Sequence, residues 1–138
     1  MAPASDFVKR LSRILANDPR YHEEAYLFVM ASLVQTVEAH GTPPRHVSGQ
    51  ELLEGIRRNA RAQFGPMART VFEHWGIKNS LDFGHVVFNM VREGILSKTE
   101  ADGLGDFEDE FFFENLFDPS RYRLPAKEQG AKQWQTKQ

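Results

Sequence analysis

The stretch from residue 75 to residue 100, WGIKNSLDFGHVVFNMVREGILSKTE, places a glycine turn, a helix and a second glycine in immediate succession. Ser80 is predicted to cap a helix over residues 81–93, because a serine hydroxyl accepts a hydrogen bond from the free N–H groups of a helix start. Gly94 is predicted to end that helix, since glycine readily adopts the left-handed backbone found at helix ends. The stretch specifies a fold element and carries no catalytic motif.

Similar signals divide the rest of the chain into helices. A first helix is predicted to begin at the cap Ser5, and a second spans residues 21–40. A third begins at the cap Ser48, where Glu51 three residues later completes a capping box. We therefore predict a mainly α-helical fold of five or six helices, with a small winged-helix-like β element near residues 95–115.

Composition and hydropathy fit one compact domain. With 138 residues, 11 of them phenylalanine, the chain can bury a stable core without disulfides. It has no cysteine, which suits a reducing compartment, and no apolar leader, so a cytoplasmic location is expected. The longest apolar run, residues 25–34, is about half as long as a membrane span, so no membrane partner is expected. We predict a single helical domain over residues 1–125 and a flexible basic tail over residues 126–138.

Charge bears on the first alternative function, a winged helix-turn-helix nucleic-acid-binding protein. The helices on either side of Gly76 have the outline of a helix-turn-helix. The outward face of the second helix is predicted to present Asp82, His85, Asn89, Arg92 and Glu93. DNA binding depends on Lys and Arg that neutralise phosphates. Residues 45–118 carry 8 basic and 13 acidic side chains, which argues against specific nucleic-acid binding.

The loop before the third helix is a candidate site for an anion or another ligand. Arg45, His46 and Ser48 precede a helix N-terminus, where backbone N–H groups favour negative charge. A second alternative is therefore an enzyme or anion-binding module that uses this loop, although Ser48 also serves as a helix cap. Asp82 and His85 share the spacing of a metal-binding pair, but the sequence contains no second such pair. No catalytic residue, metal or cofactor is predicted.

Residues 102–118 form an acidic segment rich in phenylalanine, with seven acids and five phenylalanines. Its carboxylates do not follow the spacing of a calcium loop. Three consecutive phenylalanines cannot all face inward from one strand or helix, so at least one is expected to be exposed or covered by another chain. The candidate interaction surface comprises Phe111, Phe112, Phe113, Glu110 and Glu114.

Five motifs occur in a fixed order: RHVSGQELLEGIR, QFGPMA, WGI, DFGHVVFNMVREGILSKTE and DFEDEF. Together they resemble an uncharacterised family of small bacterial proteins, and the likeness covers residues 21–117. The resemblance implies a conserved domain of unknown function. It contributes no activity and no catalytic residue.

These observations favour a non-enzymatic cytoplasmic protein-protein interaction domain, whose partner is another protein or a second copy of the chain. The phenylalanines beside the carboxylate cluster are the reason for this preference. The three function classes differ in what a structure must contain. An interaction domain needs an exposed apolar patch, a nucleic-acid binder needs a basic face, and an enzyme or ligand-binding module needs a concave pocket with converging polar groups.

Overall fold

The computed structural model describes residues 3–41, 46–96, 104–109 and 112–117. This part of the chain is mainly α-helical, which confirms the predicted fold class. It contains four helices of 13 to 17 residues and two shorter ones. The helices are α1 Pro3–Asn17, α2 Glu23–Ala39, α3 Gly49–Phe64, α4 Ala68–His74, α5 Ser80–Arg92 and α6 Phe112–Phe117. The turns Gly65–Met67 and Leu104–Phe107 are 3-10 helices.

Local side-chain caps explain where the helices begin. The Ser48 hydroxyl accepts a hydrogen bond from Glu51 N–H at 3.1 Å, and Glu51 Oε1 accepts one from Ser48 N–H at 2.9 Å, which confirms the predicted capping box of α3. The predicted cap of α5 is wrong by one residue, because Asn79 caps this helix and Ser80 is its first helical residue. The predicted cap of α1 is also wrong, since the helix begins at Pro3 and Ser5 lies inside it.

Ser80 instead holds the segment that follows α5. Its hydroxyl donates a hydrogen bond to the Phe107 carbonyl at 2.5 Å and accepts one from Asp109 N–H at 2.9 Å. Gln50 of α3 adds a bond from its Nε2 to the Asp106 carbonyl at 2.7 Å. The segment is therefore fixed against α3 and α5 through its backbone carbonyl and N–H groups.

These contacts explain why the described residues of the predicted β element, near residues 95–115, do not form a strand. The described residues of that range contain a 3-10 turn and the beginning of α6, and they contain no strand. The prediction is wrong for them, because the polar backbone groups bond to side chains of α3 and α5 and not to another strand. Residues 97–103 and 110–111 lie outside the described ranges.

An aromatic cluster around Phe72 of α4 forms the centre of the core. The Phe72 ring centroid lies 5.8 Å from that of Phe28 on α2 and 5.2 Å from that of Phe83 on α5. Trp75 and Phe112 add further rings, at 5.8 Å and 6.5 Å from Phe72. One aromatic layer thus joins α2, α4, α5 and α6.

Helices α2 and α3 pack closely and in opposite directions. Asn59 donates from Nδ2 to Ser32 Oγ at 3.0 Å, while Gly55 lies against Thr36. In these pairs the residue numbers rise along α2 as they fall along α3, which makes the helices antiparallel. Thr36 Oγ1 donates to the Ser32 carbonyl at 2.7 Å, so the buried hydroxyl has a partner inside the interface.

Two further sequence predictions concern the tail and the membrane. The tail predicted for residues 126–138, and the domain boundary before it, lie outside them and stay predictions. Within them, no helix combines the length and the apolar character needed to cross a membrane.

Candidate functional site

The predicted anion loop borders a cavity of about 220 Å³ between α2, α3 and α5. His46 and Ser48 line this cavity, whereas Arg45 lies outside the described residues. The remaining lining residues are Leu33, Val37, Val47, Gly49, Leu52, Val87, Leu96 and Phe107. The structure thus brings two of the three predicted side chains to one concave, mostly apolar surface, which we term the α3 cavity.

Polar groups at the α3 cavity are largely committed to the helix start. The Ser48 hydroxyl is the acceptor of the α3 cap. The Glu51 carboxylate, besides bonding to Ser48, lies 3.7 Å from His40 Nε2. A carboxylate in the first turn already compensates the positive end of the helix dipole. The site therefore offers apolar contact more than it offers anion binding or an activated serine.

The described part of the phenylalanine-rich segment packs inward. Phe112 is 1% exposed and its ring lies 5.5 Å from that of Phe83, so its assignment to an interaction surface is wrong. Phe113 is half-buried, with its ring 6.1 Å from that of Phe72 and with the Arg69 guanidinium carbon 5.0 Å from its centre. Outside the described part lie Glu110, Phe111 and the side chain of Glu114.

Arg57 of α3 explains the inward position of this segment. Its NH1 donates to Asp109 Oδ2 at 2.9 Å, and its guanidinium carbon lies 5.2 Å from the centre of the Phe112 ring. The same guanidinium bonds Glu54 through NH2 at 2.6 Å. A cation from α3 thus pairs with one carboxylate of the acidic cluster and covers an aromatic ring beside it.

The predicted outward face of α5 is only partly exposed, which corrects the sequence interpretation. Arg92 is exposed, but the other four residues of that face are buried or half-buried. Asn89 is 4% exposed and donates from Nδ2 to Asp18 Oδ2 at 2.9 Å and to the Tyr26 hydroxyl at 3.0 Å. The reason is that α5 contacts α1, α2, α3 and the turn Leu104–Phe107.

The connection between α1 and α2 is tied to α5 by ionised and hydrogen-bonded groups. Arg20 donates to Asp18 from Nε and NH2, both at 2.8 Å, and these bonds hold the pKa of Asp18 well below its ordinary value. The Tyr21 hydroxyl donates to Asp82 Oδ1 at 2.5 Å. Burial, followed by this carboxylate, raises the pKa of Tyr21 well above its usual range. Each group has a partner, so the network serves the fold.

The Asp82 carboxylate of the Asp82–His85 pair is engaged in hydrogen bonds at the start of α5. Asp82 Oδ2 accepts hydrogen bonds from Lys78 N–H at 2.7 Å and Asn79 N–H at 3.2 Å, while its Oδ1 accepts the bond from Tyr21. Among the described residues there is no group of three side chains that could hold a metal ion.

An exposed apolar surface on α2 was not predicted from the sequence. Leu27 and Val34 are 43% and 51% exposed, and exposed Ala31 lies between them on the same helix face. Beside them lies an open groove of about 390 Å³ between α2, α3 and α4. The groove is lined by Glu24, Leu27, Phe28, Ala31, Gln63, Phe64, Val71 and Trp75. We term this lining, together with Val34, the α2 groove.

The spacing of apolar residues on α2 held a signal for this surface. Leu27, Ala31 and Val34 recur at i, i+4 and i+7, the spacing of one helix face. The helix is apolar on its other sides as well, so the pattern does not show which side lacks a neighbour. Only the packing of α3, α4 and α5 around α2 identifies the uncovered side.

One carboxylate lies in the lining of the α2 groove. Glu24 is the ionisable residue in its lining. The helix that forms one wall carries Glu23, Glu24 and Glu38 and has neither lysine nor arginine. The groove therefore combines apolar contacts with negative charge at the beginning of α2.

No protein-family model, no curated protein and no solved structure matches this chain. The resemblance to a family of small bacterial proteins accordingly stays a prediction.

Proposed function

We propose that the chain is a protein-protein interaction domain without enzymatic activity, and that the α2 groove is its binding surface. The carrying observation is that Leu27 and Val34 are exposed beside a groove with an aromatic floor. Single exposed apolar residues are common on protein surfaces, but contiguous apolar patches mark interaction sites. The preferred class of function is the same as in the sequence analysis, but the proposed binding surface is now on α2 and not in the phenylalanine-rich segment.

The floor of the α2 groove supports this proposal because its rings are already held in place. The Phe28 ring centroid lies 5.6 Å from that of Phe64 and 5.3 Å from that of Trp75. Phe64 and Trp75 are themselves 5.8 Å apart and edge to face. A floor that is ordered before binding lowers the entropic cost of association. Its concave shape suits an apolar anchor from a partner helix or peptide.

The packing of α5 weighs against the winged-helix alternative. A recognition helix must present one face to the major groove of DNA. The face that α5 would need contains buried Asn89, bonded to Asp18 and Tyr26. Exposing it would break those bonds and uncover the core.

The α3 cavity favours a second candidate function, the binding of a small apolar molecule. Its volume of about 220 Å³ exceeds the roughly 150 Å³ of an engineered apolar cavity that takes up benzene. Benzene and indole should then raise the melting temperature of the parent, and Val87→Phe, which fills the cavity, should abolish this rise. An equal rise in both proteins would place the binding elsewhere.

The proposed function can be tested by photo-crosslinking in cells that express the chain. A photoreactive phenylalanine analogue in place of Leu27 should give a discrete adduct with another protein. The same analogue in place of Val8, which is 58% exposed on α1, is the matched control and should give no such adduct. Val34→Asp should remove the adduct without lowering the melting temperature, since Val34 is exposed. Identical products from both positions, or none from either, would refute the proposal.

A further inference from the structure

We propose that the α2 groove binds an amphipathic helix of another protein, in which apolar residues lie between two basic residues about four turns apart. The inference rests on the proposed function, because it specifies the partner for the surface proposed there. It goes further in giving the partner's secondary structure, the sign of its charges and their spacing.

The exposed residues on one face of α2 are the first argument. They follow one another at helical spacing, so they form one continuous strip along the helix. This strip, which we term the α2 strip, comprises Glu24, Leu27, Ala31, Val34, Gln35 and Glu38, all of them exposed. Residues 25–37 contain no charged side chain. A partner that lies along α2 therefore meets a carboxylate, then a mostly apolar surface and then a second carboxylate.

The two carboxylates of the α2 strip are placed to contact one partner at the same time. Glu24 and Glu38 are 14 residues apart. At a rise of about 1.5 Å per residue this separates them by about 21 Å along the axis, and it is about four whole turns, which keeps both on one side. A partner helix alongside α2 has the same rise and turn. Its own basic residues can therefore reach both carboxylates when they too are about four turns apart.

A helix suits this surface better than an extended peptide does. An extended segment must find partners for its backbone N–H and C=O groups, which binding domains usually provide at the edge of a sheet. The described residues contain no strand, and the backbone groups inside α2 are already bonded within the helix. A partner helix satisfies its own backbone groups. Its apolar residues at i, i+3 or i+4 and i+7 match the spacing of Leu27, Ala31 and Val34.

The charge of the partner follows from the surroundings of the carboxylates. Glu54 on α3 is paired with Arg57 NH2 at 2.6 Å, whereas neither Glu24 nor Glu38 has an ion-pair partner among the described residues. A basic residue of a partner would supply one, and an acidic residue would be repelled. A second copy of the chain is disfavoured for the same reason. An antiparallel contact between two α2 strips would bring Glu24 of one copy to Glu38 of the other, and a parallel contact would bring identical glutamates together.

The apolar residues and the carboxylates should contribute to binding in different ways. Leu27, Val34 and the aromatic floor supply most of the affinity, because the burial of apolar area drives association. Glu24 and Glu38 are exposed, and exposed ion pairs add little affinity and are screened by salt. They act mainly by excluding partners of the wrong charge. The charge pattern should therefore be visible in which helices bind and in how their binding responds to salt.

Peptide display on phage can identify the preferred partner. One library consists of helical peptides whose exposed positions are randomised without a bias in charge, and a matched control library carries a central proline that prevents a continuous helix. Both libraries are selected on the full chain and depleted on Val34→Asp. The helical library should yield binders with apolar residues at i, i+3 or i+4 and i+7 between two Lys or Arg residues about four turns apart. The control library should yield none.

The binding of a selected helix, measured by fluorescence anisotropy, then tests the part played by the carboxylates. Glu24→Gln together with Glu38→Gln should weaken this binding about fivefold at low salt, and the difference should disappear at high salt. Glu108→Gln is the control, because Glu108 is an exposed acid on the segment that Gln50 of α3 holds. It should leave the binding unchanged. Melting curves followed by circular dichroism show that each variant is folded.

The outcomes separate the proposed partner from its alternatives. Binders that lack the basic pair, or an equal loss of affinity in Glu108→Gln, overturn the charge pattern, while the surface on α2 survives. Binders that come mainly from the proline library overturn the helical partner. If no peptide depends on Val34, the proposed partner is refuted, and crosslinking from position 27 decides the proposed function by itself. A parent that sediments as a dimer, which Val34→Asp dissociates, overturns this partner in favour of a second copy of the chain.

Discussion

Gly55→Ala should destabilise this protein, although alanine is the better helix former. Gly55 lies in the middle of α3, at its closest approach to α2. A Cβ atom built at Gly55 would lie closer than 3.0 Å to Thr36 Oγ1. The next neighbours are Thr36 Cβ at 3.4 Å and the Ser32 carbonyl at 3.6 Å, which are ordinary contacts. A single buried oxygen therefore opposes the substitution.

The expected size of the effect follows from two opposing contributions. Alanine in place of glycine stabilises a helix interior by about 0.5–1 kcal/mol. Forcing Thr36 away from its position strains the packed interface at a cost of about 1–3 kcal/mol. The movement also disturbs the hydrogen bond from Thr36 Oγ1 to the Ser32 carbonyl. We therefore expect Gly55→Ala to lower the free energy of unfolding by about 1–2 kcal/mol.

Thr36→Ala should reverse the sign of this effect. It removes the opposing oxygen and lowers stability by about 1 kcal/mol on its own, because a buried hydrogen bond is lost. In that background Gly55→Ala has no close contact to make, so it should raise stability by about 0.5–1 kcal/mol. Urea unfolding of the parent, both single variants and the double variant, followed by far-ultraviolet circular dichroism, measures the coupling.

Equal effects of Gly55→Ala in the two backgrounds would refute the packing of α2 against α3 described above. Gly105→Ala is the control, because a Cβ atom there meets nothing within 4 Å. It should change the free energy of unfolding by no more than about 0.5 kcal/mol.

Three further substitutions address the polar contacts. Asp18→Asn should lower the free energy of unfolding by about 1–3 kcal/mol at pH 7. Because the pKa of Asp18 is lowered in the folded state, its contribution to stability is present above about pH 4 and is lost as the pH falls. Urea unfolding should therefore show the difference in stability between the parent and the variant shrinking in acid. Tyr21→Phe should lower the free energy of unfolding by about 1–3 kcal/mol at pH 7. Because the pKa of Tyr21 is raised in the folded state, its contribution to stability is present below about pH 10 and is lost at higher pH. Unfolding curves measured at alkaline pH can follow this loss. Ser80→Ala should cost about 1–3 kcal/mol and accelerate amide hydrogen exchange in residues 104–109, since it removes both bonds to that segment.

Each of these expectations has a result that contradicts it. If the difference in stability between the parent and Asp18→Asn stays constant from pH 7 to pH 2, the hydrogen bonds with Arg20 do not determine how much Asp18 contributes. For Tyr21→Phe, the contradicting result is a gap that grows above pH 10. Unchanged exchange in Ser80→Ala would show that other contacts hold the segment.

The helical class and one helix start were accessible from the sequence because their causes are local. The capping box of Ser48 and Glu51 requires only residues three apart in the chain, and the structure contains it. The cap of α5 was missed for a non-local reason. Asn79 and Ser80 are both good caps. Ser80 is engaged elsewhere, because its hydroxyl donates to the Phe107 carbonyl and accepts from Asp109 N–H.

The candidate sites were less predictable because exposure depends on neighbours that a periodic pattern does not reveal. Phe112 has a phenylalanine on either side in the sequence, yet its own ring packs against Phe72 and Phe83. Asn89 has the polarity of a surface residue and is buried through its bonds to Asp18 and Tyr26.

Short-range signals in the sequence determined that this chain is mainly helical, where α3 begins and where α5 ends, because the cap Ser48 and the left-handed Gly94 act within a few residues. The tertiary structure alone decided which apolar side chains are left uncovered. Leu27 and Val34 on α2 are as apolar as the residues buried beside them, but α3 and α5 pack against other sides of the helix, and Phe72 of α4 contacts Phe28. Burial is a property of the whole assembly of helices, so the α2 groove could emerge only from their arrangement.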